Sequence, residues 1–227
     1  VIVPVFNEEA TIDQVIEKLR RTGLPLEILL VNDGSTDGSA NRLESLAQAD
    51  DIRAIHHERN RGKGAAIRTG LEAASGAIVV IQDADLEYSP DDFRALLQPL
   101  LADEADVAYG TRYGHCDRQI SPWWHQAVNG LLTGLTNLAI GLRLSDVETC
   151  YKMIRRPVLD EIAPTLRENR FGIEIELTAK LARQRWRFVE RPIRYQHRWY
   201  GEGKKIGWRD GVSALRCILL YGLCRRP

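Results

Sequence analysis

The sequence predicts an α/β protein built on a doubly wound, mostly parallel sheet flanked by helices, the whole chain forming one domain. Three observations carry that reading. Short apolar runs of strand length alternate with amphipathic stretches through the first half of the 227 residues, the pattern of successive βαβ units. Several of these runs stop abruptly in acidic or polar sequence, as strands do where the carboxyl edge of an open sheet carries the chemistry. The composition, 44% hydrophobic and 27% charged, is that of an ordinary soluble globular protein with enough apolar side chains for one substantial core.

From the start of the chain, Val1 to Phe6 reads as a strand, Ala10 to Arg21 as an amphipathic helix and Glu27 to Asn32 as a second strand, with Gly23 and Pro25 punctuating the connection. Asp37 to Ala49 continues as a helix, Arg53 to His56 as a short strand, and Lys63 to Ala74 as a helix ended by Gly76. The apolar run Ala77 to Ile81 is the next strand. Pro90 sits near the first turn of a helix reaching Leu101, where its missing N–H is harmless, and Asp106 to Tyr109 supplies another strand. The second half is less regular: a helix from Trp123 to Gly141, a short strand from Tyr151 to Ile154, a helix from Gly172 to Arg185 and a strand from Arg187 to Tyr195. These segments are expected to complete one face of the same domain, because no repeat, low-complexity tract or Ser/Gly-rich linker marks a boundary.

Lysine plus arginine and aspartate plus glutamate each total 31, so the formal net charge is zero and no global attraction to nucleic acid is implied. Cys116, Cys150, Cys217 and Cys224 include no Cys-x-x-Cys pair, and only Cys116, next to His115, has a histidine beside it. That disfavours a zinc site or a dense disulfide framework and suits reduced thiols in a cytosolic protein. The first strand ends Pro4-Val5-Phe6-Asn7-Glu8-Glu9 instead of in Gly-x-Gly-x-x-Gly, which argues against a nicotinamide cofactor. No charged n-region followed by an apolar h-region opens the sequence, so a secretory signal is not expected, and Val1-Ile2-Val3 reads as mid-strand, so a few native residues are expected ahead of it. The most apolar stretches, Leu131 to Leu142 and Val212 to Cys224, are too short to span a bilayer, and the second contains Arg216. Contact with a membrane would be peripheral.

Gln82-Asp83-Ala84-Asp85-Leu86-Glu87 follows the Ala77 to Ile81 run directly. On a continuing strand, residues two apart point the same way, so Asp83 and Asp85, with Glu87, would converge on one hard divalent cation such as Mg²⁺ or Mn²⁺. Such a cation is usually shared between one or two carboxylates and a substrate's phosphates. The motif therefore argues for a phosphorylated substrate, against the plainer alternative of a surface turn ahead of Pro90. Val31-Asn32-Asp33-Gly34-Ser35-Thr36-Asp37 is a second polar strand end, which also reads as an Asx turn capping the next helix. Asn60-Arg61-Gly62-Lys63-Gly64 precedes a helix, where N–H groups and a lysine face phosphate or base, or where the glycines make a simple turn.

Together the strand ends Pro4-Val5-Phe6-Asn7-Glu8-Glu9, Val31-Asn32-Asp33-Gly34-Ser35-Thr36-Asp37 and Asp83-Ala84-Asp85 resemble the nucleotide-sugar-binding half of family-two inverting glycosyltransferases with the fold called GT-A, and the resemblance extends over essentially the whole chain. Gly110-Thr111-Arg112 and Arg198-Trp199-Tyr200-Gly201-Glu202-Gly203-Lys204-Lys205 look like the dolichyl-phosphate mannose synthase branch and its bacterial polyprenyl-phosphate relatives. The resemblance implies a nucleotide-sugar-binding half over 1–110 and an acceptor-binding half over 111–227 with a basic closing loop and a C-terminal helix. It implies that Pro4, Glu8 and Asp33 line the nucleoside pocket, with Asp33 accepting hydrogen bonds from the base, and that Lys63 and Asp83 complete donor binding. Asp83, Asp85 and Glu87 would hold the metal, with Asp85 essential to catalysis. Arg112 would grip the acceptor phosphate, a bidentate task that suits a guanidinium.

The family's late loop commonly carries Arg-x-x-Gly-x-Ser-Lys, and this chain keeps Arg198 and Lys204 while placing Gly203 where the Ser falls. By the resemblance Arg198 and Lys204 close over the diphosphate and stabilise it as it leaves. Arg118 and His125 are further candidates for the acceptor phosphate, and Glu174 and Glu176 for contact with the donor or the basic loop. The last three read by default as ordinary helix positions.

The function so implied is transfer of one sugar, with inversion, from a nucleoside diphosphate sugar of the GDP-mannose or UDP-glucose type to a polyprenyl or dolichyl phosphate. That acceptor is already anionic, so no strong general base is needed, which fits a chain with no compelling His/Ser or Cys/His pair. The lipid would keep the enzyme peripheral on the cytosolic face of a membrane. The alternatives are transfer to a sugar or protein hydroxyl with Glu174 as base, a phosphatase using Asp83, and a non-catalytic nucleotide-sugar sensor.

Overall fold

The strand Ile28–Asn32 is buried at every position, and a continuous apolar run of this kind marks a strand covered on both faces. It is β2, the centre of a parallel trio with β1 (Ile2–Val5) and β3 (Ile52–His56), in register Ile2 with Leu29 and Ile28 with Ile52. The helix α1 (Ile12–Arg21) buries Ile12, Val15, Ile16 and Leu19, the 3.6-residue stripe of an amphipathic helix. Asp13 in its first turn and Lys18, Arg20 and Arg21 in its last complement the helix dipole. The helices α2 (Ser39–Leu46) and α3 (Lys63–Ala73) complete the first units.

The computed structural model describes residues 1–113, 123–184, 186–197 and 208–223, with the side chains of 123–125, 208–210, 212 and 223 outside the description. Arg118, Arg198 and Lys204, and the side chain of His125, therefore lie outside the described residues.

The remaining strands are β4 (Ile78–Val80), β5 (Val107–Thr111), β6 (Lys152–Arg155) and β7 (Phe188–Pro192), in the order β4-β6-β5-β7. A bridge between Ile2 and Ile81, with the Gln82 N–H donating to the Ile2 carbonyl at 2.9 Å, joins this group to β1. The second half of the chain thus extends the sheet itself and does not merely cover one face of it. β5 and β7 are parallel, but β6 runs antiparallel to both β4 and β5. Hydrophobic periodicity records burial and is blind to strand direction, so the sequence showed this strand without its sense.

Helices α4 (Phe93–Leu101), α5 (Trp123–Ile140) and α7 (Ile173–Ala182) lie where the periodicity places them. α6 (Arg156–Ile162) follows β6 without a loop and was not foreseen, its seven residues being too few for a clear period. α8 (Trp208–Cys217) continues as a π-helical turn through Leu223. One apolar core cluster runs through the described residues from Ile2 to Ile218, so both halves of the chain share it.

Candidate functional site

The carboxyl ends of β1 and β2 are tied together by their own polar residues. Asn7, held at a positive φ of 53°, accepts a hydrogen bond from the Thr36 N–H at 2.8 Å through Oδ1, and its own N–H donates to Ser35 Oγ at 3.0 Å. The buried Glu8 is fixed by the Thr11 hydroxyl on Oε2 and by donation of its N–H to Ser39 Oγ. Backbone strain at such a position persists where surrounding contacts enforce it. Pro4, partly buried on β1, lies at the same edge.

Asp33 is 2% exposed and already well supplied with donors. Oδ1 accepts from the Arg61 N–H at 2.8 Å and faces His57 Nδ1 at 2.8 Å, while Oδ2 accepts from the Gly62 N–H at 2.7 Å. Its first task is therefore to shape the loop ahead of α3, leaving lone-pair capacity on Oδ2 for a ligand. Gly62 has a φ of +99°, and a Cβ there would lie 2.2 Å from the Asn169 carbonyl oxygen; one on Gly64 would lie 2.4 Å from that of Glu168. The glycines of this loop thus admit the backbone of 168–170, which brings α7 to the site.

The acidic motif is a turn and not a strand continuation. β4 ends at Val80, and Leu86, with φ +65°, reverses the chain between Asp85 and Glu87. The expected convergence of Asp83, Asp85 and Glu87 through a period of two is therefore corrected. Asp83 turns to Lys63, at 2.7 and 3.0 Å; Asp85 accepts from the Glu87 N–H at 3.1 Å; Glu87 accepts the Tyr195 hydroxyl at 2.9 Å. Among the described residues no three His, Cys, Asp or Glu side chains form a ready cation site. The charge balance nonetheless suits a cation: burial, then the fields of Asp83 and Glu87, push the Asp85 carboxyl up to about 8, the mark of a turn short of positive charge.

Tyr195 gives this turn a second connection. Its ring carries the Arg112 guanidinium 5.2 Å from the centroid, and the next N–H, of Gln196, donates to the Glu87 carbonyl at 2.8 Å. One ring thus lies between the acidic turn and Arg112. The described chain passes the acidic turn at Gln196 and His197, immediately ahead of Arg198 in sequence.

Residues 1–163 match the model of Glycosyl transferase family 2. The chain belongs to that family. An undecaprenyl-phosphate 4-deoxy-4-formamido-L-arabinose transferase from Proteus mirabilis is 31% identical over 210 residues, covering 90% of this chain and 61% of that protein. A polyprenol monophosphomannose synthase from Mycolicibacterium smegmatis is 28% identical over 215 residues, covering 91% of this chain and 80% of that protein. The chain therefore spans about three-fifths of the first relative and four-fifths of the second. The fold is likewise that of glucosyl-3-phosphoglycerate synthase from Mycobacterium tuberculosis, solved with Mn²⁺, UDP and phosphoglyceric acid (TM-score 0.66, 24% identity, 98% of this chain and 78% of that one). S. aureus TarS 1-349 with UDP-GlcNAc shares it more distantly (TM-score 0.59, 16% identity, 96% of this chain and 64% of that one). The expected GT-A architecture holds, with the antiparallel β6 inside its mostly parallel sheet.

In this family-two glycosyltransferase, Arg112 follows directly on β5 and meets a partner the sequence did not disclose. Asp146, fully buried, binds the guanidinium bidentately, Nε to Oδ2 at 2.7 Å and Nη2 to Oδ1 at 2.8 Å. Nearby Glu148 is driven up to about 7 by burial, Lys152 opposing that shift and Glu174 adding to it. Lys152, 1% exposed on β6, donates to the Thr149 carbonyl and to Glu174 Oε2. Glu174, at the start of α7, thus has Lys152 on one oxygen and Lys63 3.4 Å from the other. A buried carboxylate held between two ammonium groups is poorly placed to be the base of a hydroxyl-acceptor reaction. Glu176 accepts the N–H groups of Arg167 and Glu168 and the Lys180 ammonium, so it supports the loop that meets Gly62. The available sequence signal for this missed cluster was Asp146-Val147-Glu148-Thr149-Cys150-Tyr151-Lys152, three charged groups leading into β6.

Proposed function

We propose that this glycosyltransferase moves a sugar from a nucleoside diphosphate sugar to a polyprenyl phosphate, with a divalent cation at the acidic turn. The observation that carries the reading is Tyr195, which bonds Glu87 through its hydroxyl and packs under Arg112 through its ring. A group suited to a cation and a group suited to a phosphate are thereby held side by side, as transfer onto an anionic acceptor needs. The lipid acceptors in the names of the two relatives support it, as do Mn²⁺ and UDP in the fold relative.

When bound, Mg²⁺ or Mn²⁺ supplies charge neutralisation for the donor diphosphate. Asp83 and Asp85, with Glu87 behind them, would hold the cation. Pro4, Glu8 and Asp33 line the nucleoside pocket, Asp33 chiefly by fixing the Arg61 and Gly62 amides, and Lys63 at the N-terminus of α3 faces the phosphates. Arg112, aimed by Asp146, orients the acceptor oxygen toward the sugar, and Arg198 and Lys204 stabilise the departing diphosphate. Residues 1–110 serve the donor and 111–227 the acceptor. GDP-mannose and UDP-glucose are the leading donor types.

The acceptor lipid places the chain peripherally on a membrane, at its cytosolic face. Among the described residues no helix is long and apolar enough to cross a bilayer. Instead α5 exposes Val128, Leu131, Leu135 and Leu138, one side of a helix, and α8 with its π turn exposes Leu215, Leu219 and Leu220. The two elements pack together where Gly222 meets Ala139. Ala214, Cys217 and Ile218 of the C-terminal segment are buried, so it is at once a core helix and part of an exposed apolar surface.

The test is product analysis with purified protein, Mn²⁺ or Mg²⁺, a panel of nucleotide sugars, and either undecaprenyl phosphate or free sugars as acceptor. Sugar recovered on the lipid phosphate supports the reading. Transfer confined to hydroxyl acceptors or to water rejects it.

A further inference from the structure

Lys63 lies between two carboxylates. Its Nζ is 2.7 Å from Asp83 Oδ1 and 3.4 Å from Glu174 Oε1. That Oε1 is buried and accepts no hydrogen bond among the described residues, whereas Oε2 is held by the Lys152 ammonium. A buried acceptor left without a donor is costly. This one faces an ammonium about 0.6 Å beyond an ordinary charge-assisted hydrogen bond.

We propose that Glu174 is a second seat for the Lys63 ammonium, filled when a divalent cation takes Asp83, and that Lys152 keeps this seat charged and in place. The inference rests on the acidic turn being the cation site proposed above. An ammonium and a divalent cation on one carboxylate repel each other, so the ammonium either yields or weakens the cation's hold. A shift of less than about 1 Å toward Oε1 relieves the repulsion, satisfies the unpaired oxygen and leaves the ammonium beside the site. Glu174 and Lys152 are positioning residues here, acting on the cation only through Lys63.

The experiment measures Mn²⁺ binding to the intact, nucleotide-free chain from the paramagnetic resonance signal of free Mn²⁺. It compares the wild type with Glu174→Gln, Lys63→Met and the double variant. Glu174→Gln is expected to weaken Mn²⁺ binding on the order of tenfold, the ordinary size of coupling between contacting charges. Lys63→Met is expected to strengthen it, because the competitor for Asp83 is gone. In the Lys63→Met background, Glu174→Gln should change the affinity less than about twofold. Equal weakening by Glu174→Gln with and without Lys63, or no weakening at all, overturns the second seat while leaving the cation site standing. A wild-type chain that binds no Mn²⁺ on its own overturns the second seat, and one that also binds none with UDP or GDP added overturns the cation site as well. Should Glu174→Gln unfold because Lys152 loses its counter-charge, the neutral pair Lys152→Met with Glu174→Gln replaces it, with the same expectations.

Discussion

Arg112 and Asp146 form a buried bidentate pair, and the Arg112 N–H also donates to Asp146 Oδ2 at 3.1 Å. The carboxylate holds the guanidinium against Tyr195, so the residue proposed to meet the acceptor phosphate would be oriented before an acceptor arrives. Pre-orientation of this kind contributes when the reacting groups must be aligned.

Replacing Asp146 with Asn removes one charge from that buried pair and leaves Arg112 uncompensated. The expected cost is about 3–5 kcal/mol of folding stability, read from urea denaturation. Arg112→Lys keeps the charge but loses the fork. It should lower kcat/KM for the lipid phosphate about 10–100-fold, the worth of a charge-assisted hydrogen bond, with nucleotide-sugar affinity unchanged. A fall in donor affinity of the same size would move Arg112 to the donor side of the site.

Among the described residues the one hydrogen bond of Asp85 is the local turn to Glu87. Asp85→Asn should abolish transfer, by at least about 10²-fold, while circular dichroism remains that of the folded chain. Retained turnover with the wild-type metal dependence would reject the assignment.

Burial pushes the Glu148 carboxyl up to about 7, against about 4.3 for a glutamate in an unfolded chain. Below about pH 4 both states carry the proton and the shift has no effect. Between roughly pH 4 and 7 the unfolded chain releases the proton while the folded one keeps it, so stability falls as pH rises, by about 2–5 kcal/mol in all. Glu148→Gln should remove this contribution, matching the wild type near pH 4.5 and exceeding it at pH 8 in urea midpoints. Parallel pH profiles for the two proteins would show that Glu148 is ionised in the fold.

Leu131 and Leu138 are 60% and 83% exposed on one side of α5. Glutamate at both should abolish co-sedimentation with anionic vesicles, since interfacial binding scales with buried apolar area, without changing thermal stability. Undiminished vesicle binding would show that another surface meets the lipid.

The sequence by itself determined the βαβ opening, the strand-end motifs and the family. Those features rest on local periodicity, on turn chemistry and on short motifs at fixed spacing, all of which are written within a few neighbouring residues. The placement of Pro4, Glu8 and Asp33 at the ends of β1 and β2, and of Asp83 and Asp85 past β4, was legible in this way. The tertiary structure alone decided which charges meet. Asp146 closes on Arg112 across 34 positions, Lys152 on Glu174 across 22, and Tyr195 on Glu87 across 108. It also decided the sense of β6 and turned Asp83 from its expected strand geometry onto Lys63. A one-dimensional pattern records whether a side chain is buried. The partner that makes a buried charge tolerable is set by the register and packing of distant elements, because burial of an ion is stable only where folding delivers its counter-charge.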